Sequence, residues 1–340
     1  MVSTVVRFLI IISFLSVIGR VASYAQDPVF SQFYAAPIHL NPAFAGNTNA
    51  PFISVNYRNQ WPQLDRAYVT YAISYDQGFD RYNSGIGVSV LKDEAGNGLI
   101  ESTRFSLVYM YRIKIDDNWS AKAGIEFTGA QMQYDWARLI FPDQLDDITG
   151  PLSPGGTPYP TSELPPDDPT ARYFDVSFGG LAYSRSLYIG VSLKHLNTPA
   201  QSILADAAGF DNGLPIKYVV QGGAEISLGR GNNAFRDPFF SPNILFVKQA
   251  NFYQLNIGGY VGFSTFFAGL AYRHAGSNPD AMIASVGFRK GIYRIGYSFD
   301  YTVSQLGIDT GGAHELSFQL NFDAIRPEKK SYNDCFQLFR

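Results

Sequence analysis

The chain of 340 residues has a single cysteine, Cys335, so no disulfide can form within it. A thiol that close to the C-terminus is also in the wrong place to be a lipoprotein's acylated first residue; a spare thiol or a bond to another chain is what is left. Charge is scarce: Asp, Glu, Lys and Arg together make up 16% of the chain, against roughly 25% in ordinary soluble domains. The balance is mildly acidic, −3 overall, which argues against a nucleic-acid partner, because phosphate backbones select cationic surfaces. Beyond residue 25 no apolar run approaches the roughly 20 residues of a spanning helix, so any crossing of a membrane must be made by strands.

Constellations that carry chemistry are missing too. His39, His195, His274 and His314 include no i, i+4 pair and are joined by no cysteine, unlike a helical zinc site. No serine motif or carboxylate cluster supports His195 or His274 as an acid–base residue, and both read as lumen or rim residues. Asp143, Asp146, Asp147, Asp167 and Asp168 crowd one proline-rich loop without the Asp-x-Asp-x-Asp-Gly spacing of a calcium site, and read as solvated surface. Glycines such as Gly179 and Gly180 fall within strands, where they ease curvature and close approach, and none forms a phosphate-binding loop. The expectation is a non-enzymatic protein with no catalytic residues, no metal and no cofactor.

What is present is an export signal followed by strands. Arg7, the apolar run Phe8–Ile18 and the site Ser23-Tyr24-Ala25 make residues 1–25 a signal peptide cleaved before Gln26. The run is too short for a retained membrane helix. Losing Arg7 and Arg20 leaves 24 cations against 29 acids, a net −5. Aromatics are 15% of the chain, as the interfacial girdles of a lipid-facing barrel require.

Period-2 alternation dominates the mature chain. Tyr293, Ile295, Tyr297, Phe299 and Tyr301 share one face, and Arg294, Gly296, Ser298, Asp300 and Thr302 share the other. About fourteen such runs are predicted, an even count that suits a bacterial antiparallel barrel. They fall at 51–59, 67–76, 84–92, 101–115, 119–135, 171–184, 187–197, 216–228, 241–249, 252–263, 266–274, 281–289, 292–303 and 313–322. The reading is therefore an all-β transmembrane barrel over 51–322, its apolar faces against the lipid bilayer. Arg104, Arg112, Lys194, Glu225, Arg294, Asp300 and Glu315 would point into a polar lumen, where an added arginine, as in Ser298→Arg, should be tolerated far better than Tyr297→Arg on the lipid face.

Connections at 115–118, 184–186, 264–265 and 290–291 are short, while 93–100, 138–170, 197–215 and 304–312 are longer. This alternation implies periplasmic N- and C-termini and an external 138–170 loop. The long 229–240 and the short 248–251 connections break it. Two segments lie outside the pattern. Residues 26–50 are irregular and would plug the lumen or lie at the periplasmic rim. Residues 323–340 form a tail ending in Phe336, Leu338 and Phe339, either a periplasmic peptide that docks on a partner or a frayed end.

Asp27-Pro28-Val29-Phe30-Ser31-Gln32-Phe33, then Asn41-Pro42-Ala43-Phe44-Ala45-Gly46, then Tyr57-Arg58-Asn59-Gln60-Trp61 resembles the opening of the PorP/SprF family, outer-membrane proteins tied to type IX secretion in Bacteroidetes. The resemblance implies a non-enzymatic role in secretion, or in surface anchoring of a secreted partner such as an adhesin, in some members linked to gliding motility. It implies other outer-membrane or periplasmic secretion components as further partners, and makes the motif residues candidates for plug or partner contacts. A passive outer-membrane channel for small hydrophobic molecules is the alternative, since such barrels also carry N-terminal plugs. A soluble β-protein is the third reading.

Overall fold

The computed structural model describes residues 27–65, 67–201, 213–229, 238–276, 278–304, 307–325 and 335–339; the expected signal peptide lies outside them. Alternating sequence becomes a ring of antiparallel strands: β1 (Phe52–Gln60), β2 (Tyr68–Phe79), β3 (Ser84–Ala95), β4 (Ile100–Lys114), β5 (Ser120–Tyr134), β6 (Thr170–Tyr183), β7 (Leu187–Lys194), β8 (Lys217–Ala224), β9 (Ile226–Ser227), β10 (Phe239–Gln249), β11 (Phe252–Phe263), β12 (Phe266–Ala275), β13 (Asn278–Lys290), β14 (Tyr293–Thr302) and β15 (Ala313–Asn321). β8 and β9 are one stave parted at Glu225, since both pair with β10. The ring closes where β1 pairs with β15, from Phe52 opposite Asn321 to Gln60 opposite Ala313. The result is a closed barrel of 14 staves, every predicted strand lying within three residues of its expected ends.

The two faces of the wall are inverted relative to a water-soluble protein. Along β14, Tyr293 and Ile295 are 52% and 48% exposed, while Ser298 and Asp300 are buried at 0% and 1%. Apolar side chains outside and polar ones inside form a continuous belt far larger than a soluble monomer leaves bare, and hydrocarbon is the solvent that suits it. The connections that broke the length pattern are real: β10 and β11 are joined through Ala250 and Asn251 alone, and β9 reaches β10 across 228–238.

The inner polar face is buried because the lumen is filled. Residues 27–50 run down its inside, touching the wall on every side, and pass into β1 at the end carrying the 184–186 and 290–292 turns. Asp27 lies at the opposite end, beside the ends of β7, β8 and β10. The sequence reading put the N-terminus on the short-turn side; within the barrel, only the junction with β1 lies there. Residues 335–339, expected in a tail beyond the barrel, pack inside the lumen at the short-turn end, where Cys335, Phe336, Leu338 and Phe339 are buried against Phe33, Phe44, Tyr183 and Tyr188. Residues 326–334 of that tail lie outside the described residues.

Candidate functional site

Two of the family-like stretches meet in the lumen through Ser31 and Arg58, 27 positions apart in sequence. Irregular backbone in a lumen needs donors and acceptors from the wall, and the Ser31-Gln32 peptide finds them in Glu315 of β15. The Glu315 carboxylate accepts Ser31 N–H at 2.7 Å and Gln32 N–H at 2.8 Å. Gln32 then donates through Nε2 to Ser298 Oγ (3.2 Å) and to the Glu315 carbonyl (3.1 Å), while its Oε1 accepts from Ser317 (2.7 Å) and Tyr34 (2.9 Å). Arg58, from β1, pairs with both Glu315 and Asp300 and donates to Ser31 Oγ at 3.0 Å. Arg273 of β12 completes the group, 2.7 Å from Asp300 and also paired with Asp280. Two acids and two guanidinium groups, all almost fully buried, thus neutralise one another around the hydroxyl of Ser31. Such a set is costly to bury and holds only when every member is partnered.

Nearer the long-loop end, Asp27 is gripped by Arg104 of β4, Lys217 of β8 and His195 just past β7, with its N–H donated to Gln249 Oε1. His195, at φ 62°, spans Asp27 (2.6 Å from Nε2) and Asp175 (2.8 Å from Nδ1). Below it Lys194 pairs with Glu126 at 2.8 Å. Asp27, Pro28 and Val29 line a vestibule of about 660 Å³ together with Trp61, Tyr68 and Arg273, and the first three also line a second, smaller cavity that reaches His39 and Leu40.

Burial by itself would raise the Asp27 carboxyl and lower the His195 imidazole. Arg104, Lys217 and His195 outweigh it and hold Asp27 well below the usual carboxylate range. Asp27 and Asp175 likewise carry His195 above its ordinary 6.5. A depressed carboxyl stabilises above its unfolded value and is lost only as pH falls through the folded one. A raised imidazole stabilises fully below its unfolded value and loses that as pH rises through the folded one. The clamp should therefore hold through mildly acidic pH and loosen on the alkaline side. Hydrogen exchange at residues 27–34, corrected for its intrinsic pH dependence, should accelerate as pH rises, and His195→Gln should flatten that response; identical profiles would show that His195 is not part of the clamp.

Toward the short-turn end the seat is shape rather than charge. Asn41 donates to the carbonyls of Gly180 and Val191, each at 3.1 Å, and accepts the Ala43 N–H at 2.9 Å, which starts the turn Pro42–Phe44. A Cβ on Gly179 would lie 2.0 Å from Asn41 Oδ1, and one on Gly124 2.5 Å from the Pro42 carbonyl carbon. Two wall glycines are thus what lets the Asn-Pro-Ala turn press onto β5 and β6. Gly46, at φ 66°, donates to Asp76 at 2.8 Å.

The other candidates divide. Phe30 packs on Ala36, Ala72 and Leu91, and Phe33 joins the main interior cluster. Gln60 accepts from Arg58 at 3.1 Å. Tyr57 is on the outer face against Tyr71, Trp61 sits edge-on to Tyr68 beyond the end of β1, and Asn59 stands in the ladder opposite Val69 and His314. Arg294 lies over Phe267 within the lumen, whereas Arg112 is at the short-turn rim beside Asp80 (3.0 Å) and Glu225 occupies the break between β8 and β9. Sequence reasoning did not single out Gly124, Glu126, Asp175, Lys217 or Arg273. The four charged ones sit on inward-facing positions of their strands, so a complete tally of charges by strand parity would have found them.

Residues 22–320 match the family described as Type IX secretion system membrane protein PorP/SprF. No curated protein matches the chain. Among solved structures it is similar to the Ralstonia pickettii toluene transporter TbuX, at 10% identity and TM-score 0.46 over 85% of this chain and 94% of that one. It is also similar to the KdgM porin, at 9% identity and TM-score 0.36 over 80% and 99%, and to BamA from Haemophilus ducreyi, at 9% and 0.38 over 80% and 69%. These likenesses carry no argument about what the barrel does.

Proposed function

The chain belongs to the PorP/SprF family of type IX secretion system membrane proteins, matched over residues 22–320, and from that membership and its filled lumen we propose that it is a non-enzymatic outer-membrane scaffold supporting secretion or surface anchoring of a partner protein such as an adhesin. One observation carries the step from barrel to scaffold: the motif stretches of the N-terminal segment are spent on closing the lumen, through Ser31, Gln32 and Asn41 against Glu315, Gly180 and Val191. A barrel whose lumen is occupied by its own chain offers a partner its loops and vestibule more readily than it offers a solute a path. The channel reading has less support, because residues of the 27–50 segment bond to the inner wall along the lumen. Affinity purification of the barrel from native outer membrane should bring down a secreted protein of the pathway together with other secretion components. Recovery of the barrel alone, combined with steady conductance in a planar bilayer, would replace the scaffold by the channel.

In this reading the 138–170 loop faces outward, and it is well placed to be seen. Within it Asp143 accepts from Thr161 and Ser162, and Asp146 from the N–H groups of Ile148 and Thr149, so these acids shape local turns on an exposed surface. Ser153→Cys, in a Cys335→Ser background, should react with a membrane-impermeant maleimide on intact cells. Labelling that appears only after lysis would invert the orientation.

A further inference from the structure

Residues 335–339 lie beyond the family match, which ends at residue 320, and the scaffold role gives them no part. Their side chains nevertheless occupy a built pocket. Phe336 sits 5.0 Å from the Tyr183 ring and 5.8 Å from that of Tyr188, with the Lys122 ammonium 5.5 Å above it. Phe339 stacks on Phe44 at 4.9 Å and 16°, and meets Tyr188 edge-on at 5.5 Å. The Leu338 carbonyl accepts from Arg294, whose guanidinium also covers Tyr34 and Phe267. Lys122 in turn donates to Asn47 at 2.7 Å. Wall residues and residues of the N-terminal segment therefore grip the tail together.

We propose that the short-turn end of the lumen is a peptide-binding site for an aromatic-rich peptide, occupied in cis by residues 335–339, and that the bound tail is a keeper of the N-terminal segment. The chemistry of the ligand is written in its occupant: two rings three residues apart, an aliphatic side chain between them, and a carbonyl presented to a guanidinium. Phe339 N–H bonds to its own Phe336 carbonyl, and ring burial and the Arg294 contact hold the tail to the wall. Without the tail, Phe44, the ring at the foot of the N-terminal segment, would lose its stacking partner Phe339, and that segment's seat would weaken.

The natural cysteine reports docking with no substitution at all. Cys335, 2% exposed, should react with a water-soluble maleimide about 100-fold more slowly in the folded barrel than after heat unfolding, as a buried amide or thiol protected by local structure does. Equal rates would overturn the proposal outright. The site itself is tested with a barrel truncated after residue 334 and a dye-labelled hexapeptide of residues 335–340. Saturable binding is expected to the truncated barrel and not to the intact one. The same hexapeptide carrying Phe336→Ser and Phe339→Ser should not bind, and Arg294→Gln in the truncated barrel should weaken binding several-fold. Equal binding to both barrels, or none to either, removes the site. The keeper role predicts faster hydrogen exchange at residues 44–48 in the truncated barrel, restored by the peptide; unchanged exchange there would leave a bound tail that keeps nothing.

Discussion

Arg58→Met should unseat the N-terminal segment while leaving the strands paired, and should lower the temperature of heat-modification on gels more than any other single change inside the lumen. The substitution keeps the apolar stem and removes the guanidinium that neutralises Glu315 and shares Asp300 with Arg273. Asp300 retains Arg273. Glu315 loses its only described ionic partner and keeps just the N–H groups of Ser31 and Gln32. Breaking a buried pair from one side costs about 3–5 kcal/mol, because a charge is left without compensation. Adding Glu315→Gln to Arg58→Met should recover part of that loss, since the amide oxygen can still accept one of the two N–H groups and no charge is stranded. Non-additivity is expected because the residues touch. If Arg58→Met melts like the parent, the buried charge group does not hold the segment in place.

The barrel was legible in the sequence because lipid imposes a strict requirement on alternate residues. Tyr293, Ile295 and Tyr297 must be apolar whatever their neighbours are, so period and strand length can be read without knowing the partner strand. The same parity assigned Arg104, Lys194, Asp300 and Glu315 to the inner face, where Arg104 meets Asp27 and the other three are buried. It could not say what they meet. Ser31 finds Glu315 across 284 positions, and Asp27 finds His195 across 168; an irregular segment has no period, and its path is set by where the wall offers a carboxylate, a carbonyl or a missing Cβ. Asn41-Pro42 shows the limit plainly: the motif is visible in the chain, whereas Gly179 and Gly124, which make room for it, look like any strand glycine. The tail was equally opaque. Phe336, Leu338 and Phe339 read as a sticky end, and only the geometry of Tyr183, Tyr188 and Phe44 says to what.

A filled lumen also reverses an expectation about charge. On parity alone, Ser298→Arg places a cation in a polar interior and should be mild beside Tyr297→Arg, which faces hydrocarbon at a cost of about 2–4 kcal/mol at mid-membrane depth. The structure leaves no room for the first. Ser298 is 0% exposed, its hydroxyl accepts from Gln32, and its ladder partners are Ser285 and Glu315. An arginine there must push Gln32 out, and overpacking of this kind costs about 1–3 kcal/mol before the lost hydrogen bonds are counted. Both variants should therefore lower the heat-modification temperature by comparable amounts, for different reasons. Deleting residues 27–46 separates them. Without the segment, Ser298→Arg faces an open, wet lumen with Glu315 beside it, so its penalty relative to the deletion alone should fall to near zero. Tyr297→Arg meets the same lipid as before and should keep its full penalty. A Ser298→Arg penalty that survives the deletion would mean that the segment is not what fills the lumen at that depth.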